Sequence, residues 1–397
     1  MENIVIVGAA RTPMGSFQGS LSPATASELG AAAIQAALDR SGLAADKIDE
    51  TIMGNVLPAG QGQAPGRQAA IKAGVPNTAP ANTVNKMCGS GMRTIMMAAD
   101  QITAEVSRGH DAPVLIAGGM ESMTNAPYVM TNARGGMRIG HQKVYDHMML
   151  DGLEDAYNPG QAMGVFAEAT AEKYQFSREQ MDAYAIESLT RAQKAQGEGA
   201  FDAEIVAVEV KTRKATNTVD KDEQPLTADP GKIPNLRPAF TKDGGVTAAN
   251  SSSISDGAAA VIVTTESKAA ELGAKPIARI VAQASNAHEP EWFTTAPVGA
   301  IEKVLKQTGW SLDDVDLFEI NEAFAVVTMV AMKELNIPHD KVNVNGGACA
   351  LGHPIGCSGT RIVVTLIHAL QKRGLKRGIA SLCIGGGEAT AMAIELV

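Results

Sequence analysis

The chain has 397 residues, of which 45% are hydrophobic and 19% are charged, a composition typical of folded globular proteins. The net charge of -9 disfavours a nucleic-acid binder, because such proteins carry a basic surface. The four cysteines are too few for a disulfide scaffold, which favours thiols that are kept reduced. At this length we expect at least two domains.

The N-terminus and the hydropathy pattern favour a cytoplasmic protein that does not associate with membranes. Residues 1–10 (MENIVIVGAA) begin acidic and contain an apolar run of strand length, unlike a signal or transit segment. No stretch approaches the uninterrupted apolar length that a membrane span requires.

Strand and helix patterns alternate at both ends of the chain. The patterns predict strands at 4–7, 52–53 and 114–117, and helices at 29–40 and 91–106. This alternation favours an α/β fold with buried parallel strands.

The C-terminal part of the chain repeats the N-terminal part. Matching residues lie 267 positions apart in the pairs Ile34 and Ile301, Leu38 and Leu305, Gly42 and Gly309, Asp46 and Asp313, Asp49 and Asp316, Gly118 and Gly385, and Glu121 and Glu388. Ser90–Arg93 matches Ser358–Arg361 at an offset of 268. We interpret residues 1–120, completed by 244–274, and residues 275–397 as two copies of one unit, with 121–243 as an inserted loop domain.

Cys88 follows a short extended run and precedes a predicted helix, in the stretch NKMCGSGMR. Unpaired N–H groups at a helix N-terminus favour a thiolate, so Cys88 is a candidate nucleophile. Gly89 and Gly91 would leave room for a substrate carbonyl to approach the backbone. The alternative is a buried structural cysteine.

Residues 345–361 (NGGACALGHPIGCSGTR) are so rich in glycine that we predict a tight loop. Its one imidazole, His353, is a candidate general base near pH 7, or else a histidine satisfied by backbone carbonyls. The even spacing of Cys349, His353 and Cys357 allows a metal site, but a fourth ligand is missing and we expect no metal.

Two further segments place polar or thiol side chains at the ends of strands. In Ser381–Gly387 (SLCIGGG), Cys383 ends an apolar strand, and the repeat places Ile116 at the corresponding position. Cys383 therefore either replaces the aliphatic residue of the first copy without a new role, or gives the second copy a chemical role that the first lacks. The neighbouring glycines favour the second interpretation. Asn321 and Glu322 follow another strand, where α/β proteins bind ligands, although helix caps are the alternative.

Four separated motifs together resemble those of the thiolase family: NKMCGSG around Cys88, NEAF at 321–324, GGACALGHPIGCSG at 346–359 and CIGGG at 383–387. The similarity runs along nearly the whole chain. It implies duplicated α/β halves in five layers, α-β-α-β-α, with an inserted loop domain. It also implies a reversible condensation of two acetyl-CoA molecules to acetoacetyl-CoA and coenzyme A through an acetyl-cysteine intermediate.

The resemblance also implies a role for each candidate residue. Cys88 would be the nucleophile, His353 would activate it, and Cys383 would be the acid/base that acts on the second acetyl group. Asn321 would hold a water that forms one oxyanion hole with His353. The backbone N–H groups of Cys88 and Gly385 would form the other.

Substrate contacts and assembly follow from the same resemblance. The implied coenzyme A contacts are Leu153, Met163, Phe240, Ala248, Ser252, Ala323 and Phe324. Phe293 stands near the implied acyl pocket where bacterial biosynthetic relatives carry Met, and Ala162 stands where they carry His. The implied partners are acetyl-CoA, acetoacetyl-CoA and coenzyme A, with no cofactor, and the implied assembly is a homotetramer built as a dimer of dimers.

Other functions are compatible with parts of this pattern. A degradative 3-ketoacyl-CoA thiolase would carry the same residues around a deeper acyl pocket. A decarboxylating ketosynthase would be expected to have His at position 321 and to lack the second acid/base cysteine. A non-enzymatic acyl-CoA-binding protein on a thiolase scaffold is disfavoured by the joint presence of Cys88, His353 and Cys383.

Overall fold

The structure, a computed structural model, describes residues 2–397 as a mixed α/β protein. Its strands are β1 (Ile4–Arg11), β2 (Gly15–Ser16), β3 (Glu50–Gly54), β4 (Ala81–Val84), β5 (Leu115–Ser122), β6 (Tyr128–Val129), β7 (Tyr145–Asp146), β8 (Val208–Lys211), β9 (Thr216–Val219), β10 (Ser255–Thr265), β11 (Ala278–Ala287), β12 (Leu317–Ile320), β13 (Arg377–Ile384) and β14 (Glu388–Leu396). Its helices are α1 (Ala26–Ser41), α2 (Pro65–Lys72), α3 (Ser90–Ser107), α4 (Met163–Tyr174), α5 (Arg178–Gly197), α6 (Glu223–Thr227), α7 (Glu266–Glu271), α8 (Ala296–Thr308), α9 (Ala325–Leu335), α10 (Ala348–Leu351) and α11 (Ser358–Arg373). Within this described range, no helix has both the length and the apolar character needed to cross a bilayer.

One ten-stranded sheet runs through the molecule in the order β12-β13-β14-β11-β1-β10-β5-β3-β4, with β2 beside β10. Strand β3 pairs in parallel with β4 and β5, and β12 pairs in parallel with β13, as the sequence predicts. The pairings among β1, β10, β11 and β14 are antiparallel, which the simple alternation of strands and helices does not reveal. Only Val5 and Ile6 of β1 pair with β11, and there the two halves of the sheet meet.

The two halves have the same strand order. The first half reads β1-β10-β5-β3-β4, and the second reads β11-β14-β13-β12 followed by a single bridge from Phe318 to Val342. Helices α1 and α8 end alike at Gly42 and Gly309, with φ of 71° and 70°. Glycine adopts this left-handed conformation without a Cβ clash. The predicted duplication is confirmed in the fold.

Alternating side chains of the strands divide the core into layers. On β10, Ala258, Ala260 and Ile262 pack toward α1 and α2, whereas the intervening residues pack toward α3 and α11. The second half packs its inner face on the same two helices and its outer face on α8 and α9. The order is therefore helix, sheet, helix, sheet, helix, which confirms the predicted five layers.

The residues between β5 and β10 form more than loops. Helices α4 and α5 lie here, along with the hairpins β6–β7 and β8–β9. Helix α5 begins with a capping box in which Ser177 and Gln180 satisfy each other's backbone N–H groups. Strand β5 extends to Ser122, so the predicted boundary at residue 120 falls inside that strand.

The prediction of one continuous loop at 345–361 is wrong in two places. Residues 348–351 form the short helix α10, and α11 begins at Ser358. Gly359 lies in the first turn of α11, where α3 approaches so closely that a Cβ would collide with the backbone nitrogen of Met92. Gly91 likewise faces Thr360, where an added Cβ would lie 2.7 Å from the backbone nitrogen. These glycines allow the two central helices to pack closely.

Candidate active site

A cavity of about 640 Å³ opens between the two halves and the inserted region. Predicted site residues that line it are Cys88, Leu153, Met163, Phe240, Ala248, Ser252, Phe293, Ala323, Phe324, His353 and Gly385. Sequence reasoning missed other lining residues, among them Met87, Met123, Ser251, Tyr157 and Ile355. Most of these carry apolar side chains that no motif distinguishes from ordinary core residues. Cys383 and Asn321 do not line the cavity and are buried.

Cys88 is carried on a tight turn just before α3. Met87 has φ of 47°, a left-handed conformation that is costly for a bulky L-residue. The Asn85 side-chain oxygen accepts the Met87 N–H at 2.9 Å. The Ser90 hydroxyl accepts the Lys86 N–H at 2.8 Å and donates to the Met87 carbonyl at 2.6 Å. These contacts hold a strained turn that presents Cys88 to the cavity.

Burial raises the pKa of the Cys88 thiol to about 11. The backbone N–H groups of Gly385 and of Cys88 itself act in the opposite direction, and the nearby Glu121 adds to the rise. The backbone donors therefore favour the thiolate, as expected, but desolvation is the larger effect and the net shift of the pKa is upward.

Gly89 and Gly91 also have a different purpose from the one expected. A Cβ at Gly89 would collide with the side chain of Ile384, the residue after Cys383. Gly91 lies against Thr360, as described above. Both glycines therefore bring the Cys88 turn close to the second half, and the structure gives neither of them a place in the cavity wall.

His353 is buried, with Nδ1 2.6 Å from the Ser358 hydroxyl oxygen. Its Nε2 has no hydrogen-bond partner among residues 2–397. Burial lowers the pKa of the imidazole, and with the smaller effect of the positive charge on Arg361 the pKa falls to about 3. Both shifts favour the neutral forms of the thiol and the imidazole.

Cys383 lies at the end of β13, where its side chain is fully buried. Burial raises its pKa well above the ordinary range, and a negative charge on Cys88 would raise it further. The residues that follow the two cysteines are packed together, because a Cβ at Gly89 would collide with the side chain of Ile384. Cys383 shares an apolar cluster with Phe293 and Phe324, both of which line the cavity.

Asn321 follows β12, and its backbone N–H donates to the Ser381 carbonyl at 2.9 Å. Both polar atoms of its side-chain amide are buried without a partner in the part of the chain that the structure describes. Buried amides are nearly always hydrogen-bonded, so this one is suited to hold a ligand or a bound water. The helix-cap alternative is wrong, because α9 begins at Ala325 and Phe324 precedes it.

Glu322 is also not a cap. Its carboxylate accepts hydrogen bonds from Tyr184 (2.8 Å), Ser188 (2.7 Å), Asn343 (2.8 Å) and the backbone N–H of Cys349 (3.0 Å). These contacts tie helix α5 of the inserted region to the segment that leads to His353. The partners on α5 could not be found from the sequence, because they lie 134 and 138 positions away.

Glu121 forms a similar clamp in the first half. Its carboxylate accepts the backbone N–H groups of Val56 (2.9 Å), Leu57 (3.1 Å) and Gly356 (2.9 Å). Burial raises its pKa to about 7. The sequence repeat singled out Glu121, but gave no sign that it holds the loop after His353.

The evenly spaced Cys349, His353 and Cys357 do not converge. The Cys349 thiol donates to the Glu322 carbonyl at 3.7 Å, and Cys357 packs in the central apolar layer. Within residues 2–397, no three His, Cys, Asp or Glu side chains are arranged to hold a metal ion.

Aromatic rings close one part of the cavity. The Phe293 and Phe324 rings lie 6.4 Å apart in an edge-to-face arrangement, and Phe240 packs on Phe324 at 5.9 Å. Phe293 is only 3% exposed, so its ring is part of the cavity wall and not of the outer surface of the protein. This apolar corner suits a short acyl group.

Comparisons with known proteins agree with this geometry. The thiolase N-terminal domain matches residues 4–267, and the thiolase C-terminal domain matches residues 274–396. The chain is 48% identical to an acetyl-CoA acetyltransferase of Allochromatium vinosum, over 99% of each chain. It is 49% identical to acetyl-CoA acetyltransferase 2 of Arabidopsis thaliana, covering 100% of this chain and 97% of that one.

A solved structure is similar over the same length. The crystal structure of the Bacillus anthracis acetyl-CoA acetyltransferase superimposes with a TM-score of 0.95 at 42% identity. The match covers 100% of this chain and 99% of the other. The fold, both domain matches and the full-length relatives agree, and this chain belongs to the thiolase family.

Proposed function

We propose that the protein is an acetyl-CoA C-acetyltransferase, which joins two acetyl-CoA molecules into acetoacetyl-CoA and coenzyme A, or catalyses the reverse reaction. The observation that carries the proposal is that Cys88 and His353 line one largely apolar cavity, and that Cys383 packs behind its wall with Phe293 and Phe324. Full-length relatives with 48–49% identity bear the name of this activity. The net chemistry needs no cofactor, because the acyl donor and the leaving group are both thioesters of coenzyme A.

In the first step, His353 Nε2 takes the proton of the Cys88 thiol while the sulfur attacks the acetyl-CoA carbonyl. The backbone N–H groups of Cys88 and Gly385 stabilise the oxyanion that develops. The bond to the coenzyme A sulfur then breaks, and the leaving thiolate takes the proton of the Cys383 thiol, while His353 keeps the Cys88 proton on Nε2. The products are acetyl-Cys88 and coenzyme A.

In the second step, the Cys383 thiolate removes a proton from the methyl group of another acetyl-CoA. His353 and a water held by Asn321 donate hydrogen bonds to the enolate oxygen. The enolate carbon attacks the acetyl-Cys88 carbonyl, and Cys88 leaves as a thiolate. His353 returns its Nε2 proton to Cys88 and Cys383 keeps the methyl proton, so both thiols and the neutral imidazole are restored. Burial makes the Cys383 thiolate a strong base, because its pKa is well above the ordinary range.

The aromatic corner supports short acyl chains over the broader range of a degradative thiolase. The rings of Phe293 and Phe324 contact each other in the cavity wall, which would limit the length of the acyl chain that this corner accepts. Thiolysis rates with acetoacetyl-CoA and with a long-chain 3-ketoacyl-CoA test this directly. A comparable kcat/KM for the two substrates would favour the degradative activity instead.

The proposal includes a cytoplasmic homotetramer built from two dimers. A set of apolar side chains between β5 and α4 is exposed, namely Tyr128, Met130, Met137, Ile139 and Val144. Exposed apolar patches of this kind often mark contacts with another chain. Light scattering on the purified protein should give four times the subunit mass of 41.2 kDa. A monomer at micromolar concentration would contradict this part of the proposal.

The central experiment assigns the two thiols. Each variant is incubated with radiolabelled acetyl-CoA, digested and mapped, and exchange of the acetyl methyl protons with deuterated water is measured in parallel. Cys88→Ala should take up no acetyl group. Cys383→Ala should still be acetylated at Cys88 but should neither exchange methyl protons nor condense. His353→Ala should be slow in both steps.

Cys357→Ala is the matched control, because this thiol is buried but packs in the central layer away from the cavity. It should label and exchange as the wild type does. Label on Cys383 in the wild type, or normal methyl exchange without Cys383, would overturn the assignment.

A further inference from the structure

The role of His353 depends on which of its two ring nitrogens carries the hydrogen in the neutral state. A histidine that accepts a proton at Nε2 must carry its single neutral-state hydrogen on Nδ1. The partner of Nδ1 therefore decides whether the ring can act as a base toward Cys88. That partner is the hydroxyl of Ser358, the fully buried first residue of α11, at 2.6 Å.

The Ser358 hydroxyl has one hydrogen and two neighbours. The Pro354 carbonyl oxygen lies 3.0 Å from Oγ and can only accept, whereas His353 Nδ1 can donate or accept. The same carbonyl also accepts the backbone N–H groups of Cys357 and Ser358, so it is a crowded acceptor. If the hydroxyl hydrogen goes to Pro354, Oγ must accept a hydrogen from Nδ1. If it goes to Nδ1 instead, the ring hydrogen sits on Nε2 and the base is blocked.

The repeat supplies an independent comparison. Ser90 occupies the corresponding position at the start of α3, and its hydroxyl donates to the Met87 carbonyl at 2.6 Å. Its oxygen accepts a hydrogen as well, from the Lys86 backbone N–H at 2.8 Å. In the first half, the serine at this position therefore gives its hydrogen to the preceding turn and accepts from a nitrogen. The same arrangement at Ser358 places the imidazole in the role of that nitrogen.

We propose that Ser358 is a positioning residue that holds His353 in the Nδ1–H tautomer and so keeps the Nε2 lone pair free for the Cys88 proton. The inference rests on the function proposed above, in which His353 is the base for Cys88. The hydrogen bond from Nδ1 to Ser358 persists after Nε2 is protonated. The ring can therefore accept a proton in the first step and donate a hydrogen bond in the second without rotating.

The direct test is nitrogen NMR of the unliganded full-length protein labelled with 15N-histidine near neutral pH. Long-range proton–nitrogen spectra distinguish Nδ1–H from Nε2–H rings, and the signals that vanish in His353→Gln belong to this residue. We expect a neutral ring with its hydrogen on Nδ1. A ring with its hydrogen on Nε2 in the wild type overturns the proposal, whatever reaction the protein catalyses.

Variants then separate tautomer control from a purely structural role. Ser358→Ala should show Nε2–H signal from His353, and kcat should fall on the order of 10- to 100-fold with little change in KM. Ser358→Thr keeps a hydroxyl and should restore both the tautomer and most of kcat. Ser90→Ala is the matched control for the spectrum, because it loses the equivalent hydroxyl but should leave the His353 tautomer unchanged.

Two results would contradict the role of Ser358. One is a folded Ser358→Ala protein with an unaltered His353 tautomer. The other is a Ser90→Ala protein whose His353 spectrum changes as much as that of Ser358→Ala. Because these are spectroscopic readouts, a failure of the proposed reaction would appear separately, as a wild type with the Nδ1–H ring but no acetyl transfer.

Discussion

The two halves of the molecule share a strand order and a pair of buried central helices, but they bring different side chains to the cavity. The start of α3 in the first half presents Cys88, and the loop before α11 in the second presents His353. Cys383 and Asn321 also come from the second half, where the first half has Ile116 and Gly54. The duplication thus preserves packing and varies the residues at the ends of strands, where the backbone tolerates change.

The halves also hold each other's reactive segments. Glu121, on β5 of the first half, binds the backbone of Gly356 in the loop after His353. Its counterpart Glu388, in the second half, forms an ion pair with Lys86 in the turn before Cys88. Each carboxylate therefore supports the loop that the other half contributes. The geometry of the site therefore depends on how the two halves pack against each other.

Replacing Cys383 with its first-half counterpart should have the largest effect. In Cys383→Ile, condensation and methyl-proton exchange should fall by about 10³-fold or more, because the acid/base group is lost. Acetylation of Cys88 should persist, as measured by mass spectrometry. The reverse change, Ile116→Cys, should keep activity and lower the free energy of unfolding by about 1–2 kcal/mol. If the larger isoleucine prevents folding, Cys383→Ala provides the same test with a smaller side chain. Condensation at the wild-type rate in either variant would contradict the assignment of Cys383 as the acid/base.

The two thiols should also differ in alkylation. With a Cys88 pKa raised to about 11, the thiolate fraction grows with pH throughout the neutral range. The rate of modification by iodoacetamide should therefore rise about tenfold per pH unit between pH 6 and 9. The fully buried Cys383 should react more slowly at every pH, as peptide mapping would show. A plateau above pH 7 would instead indicate a thiolate–imidazolium pair in the resting enzyme.

Asn321→Gly gives the second half the residue that the first half has, and it should reduce activity less than Cys383→Ile does. The loss of one donor to the enolate should lower kcat for condensation by about 10²-fold and leave acetylation of Cys88 nearly unchanged. A side chain at the counterpart position, introduced as Gly54→Ala, should affect folding instead, because the added Cβ would lie 2.8 Å from Ser90 and 2.9 Å from the Gly356 carbonyl. Stopped-flow acetylation and urea unfolding separate the two outcomes. Equal losses in both chemical steps would remove Asn321 from the enolate site.

The smallest effect concerns Phe293, whose counterpart in the first half is Ala26. Phe293→Ala should enlarge the acyl pocket and shift discrimination toward longer 3-ketoacyl-CoA by about 1–3 kcal/mol in kcat/KM. Phe166→Ala is the control, because that ring lies in the same apolar cluster but does not line the cavity. An unchanged chain-length profile in folded Phe293→Ala would exclude this ring from the pocket.

Helices, strands and motifs could be predicted from the sequence where they depend on interactions between residues that are close together in the chain. The helices predicted at 29–40 and 91–106, the strands before Asn321 and Gly385, and the duplication itself all follow from pattern. The family motifs also singled out the residues that the structure brings together around Cys88. What failed depended on contacts between distant segments.

The protonation of Cys88 is one such case. A helix N-terminus predicts a lowered thiol pKa, but the surrounding desolvation has the larger effect and raises it. The glycines are another, because Gly91 faces Thr360 across 269 positions of sequence. Glu322 was indistinguishable from a cap until α5 supplied its partners. No local pattern carries this information.

The central layer of α3 and α11 has a consequence for how the protein unfolds. Each helix buries side chains against strands of both halves, and Met92 and Ile362 belong to one continuous cluster with residues of β10 and β14. Neither half can release its inner face without exposing the inner face of the other. Despite its duplicated architecture, the chain should therefore melt in a single cooperative transition, without a separate step for each half.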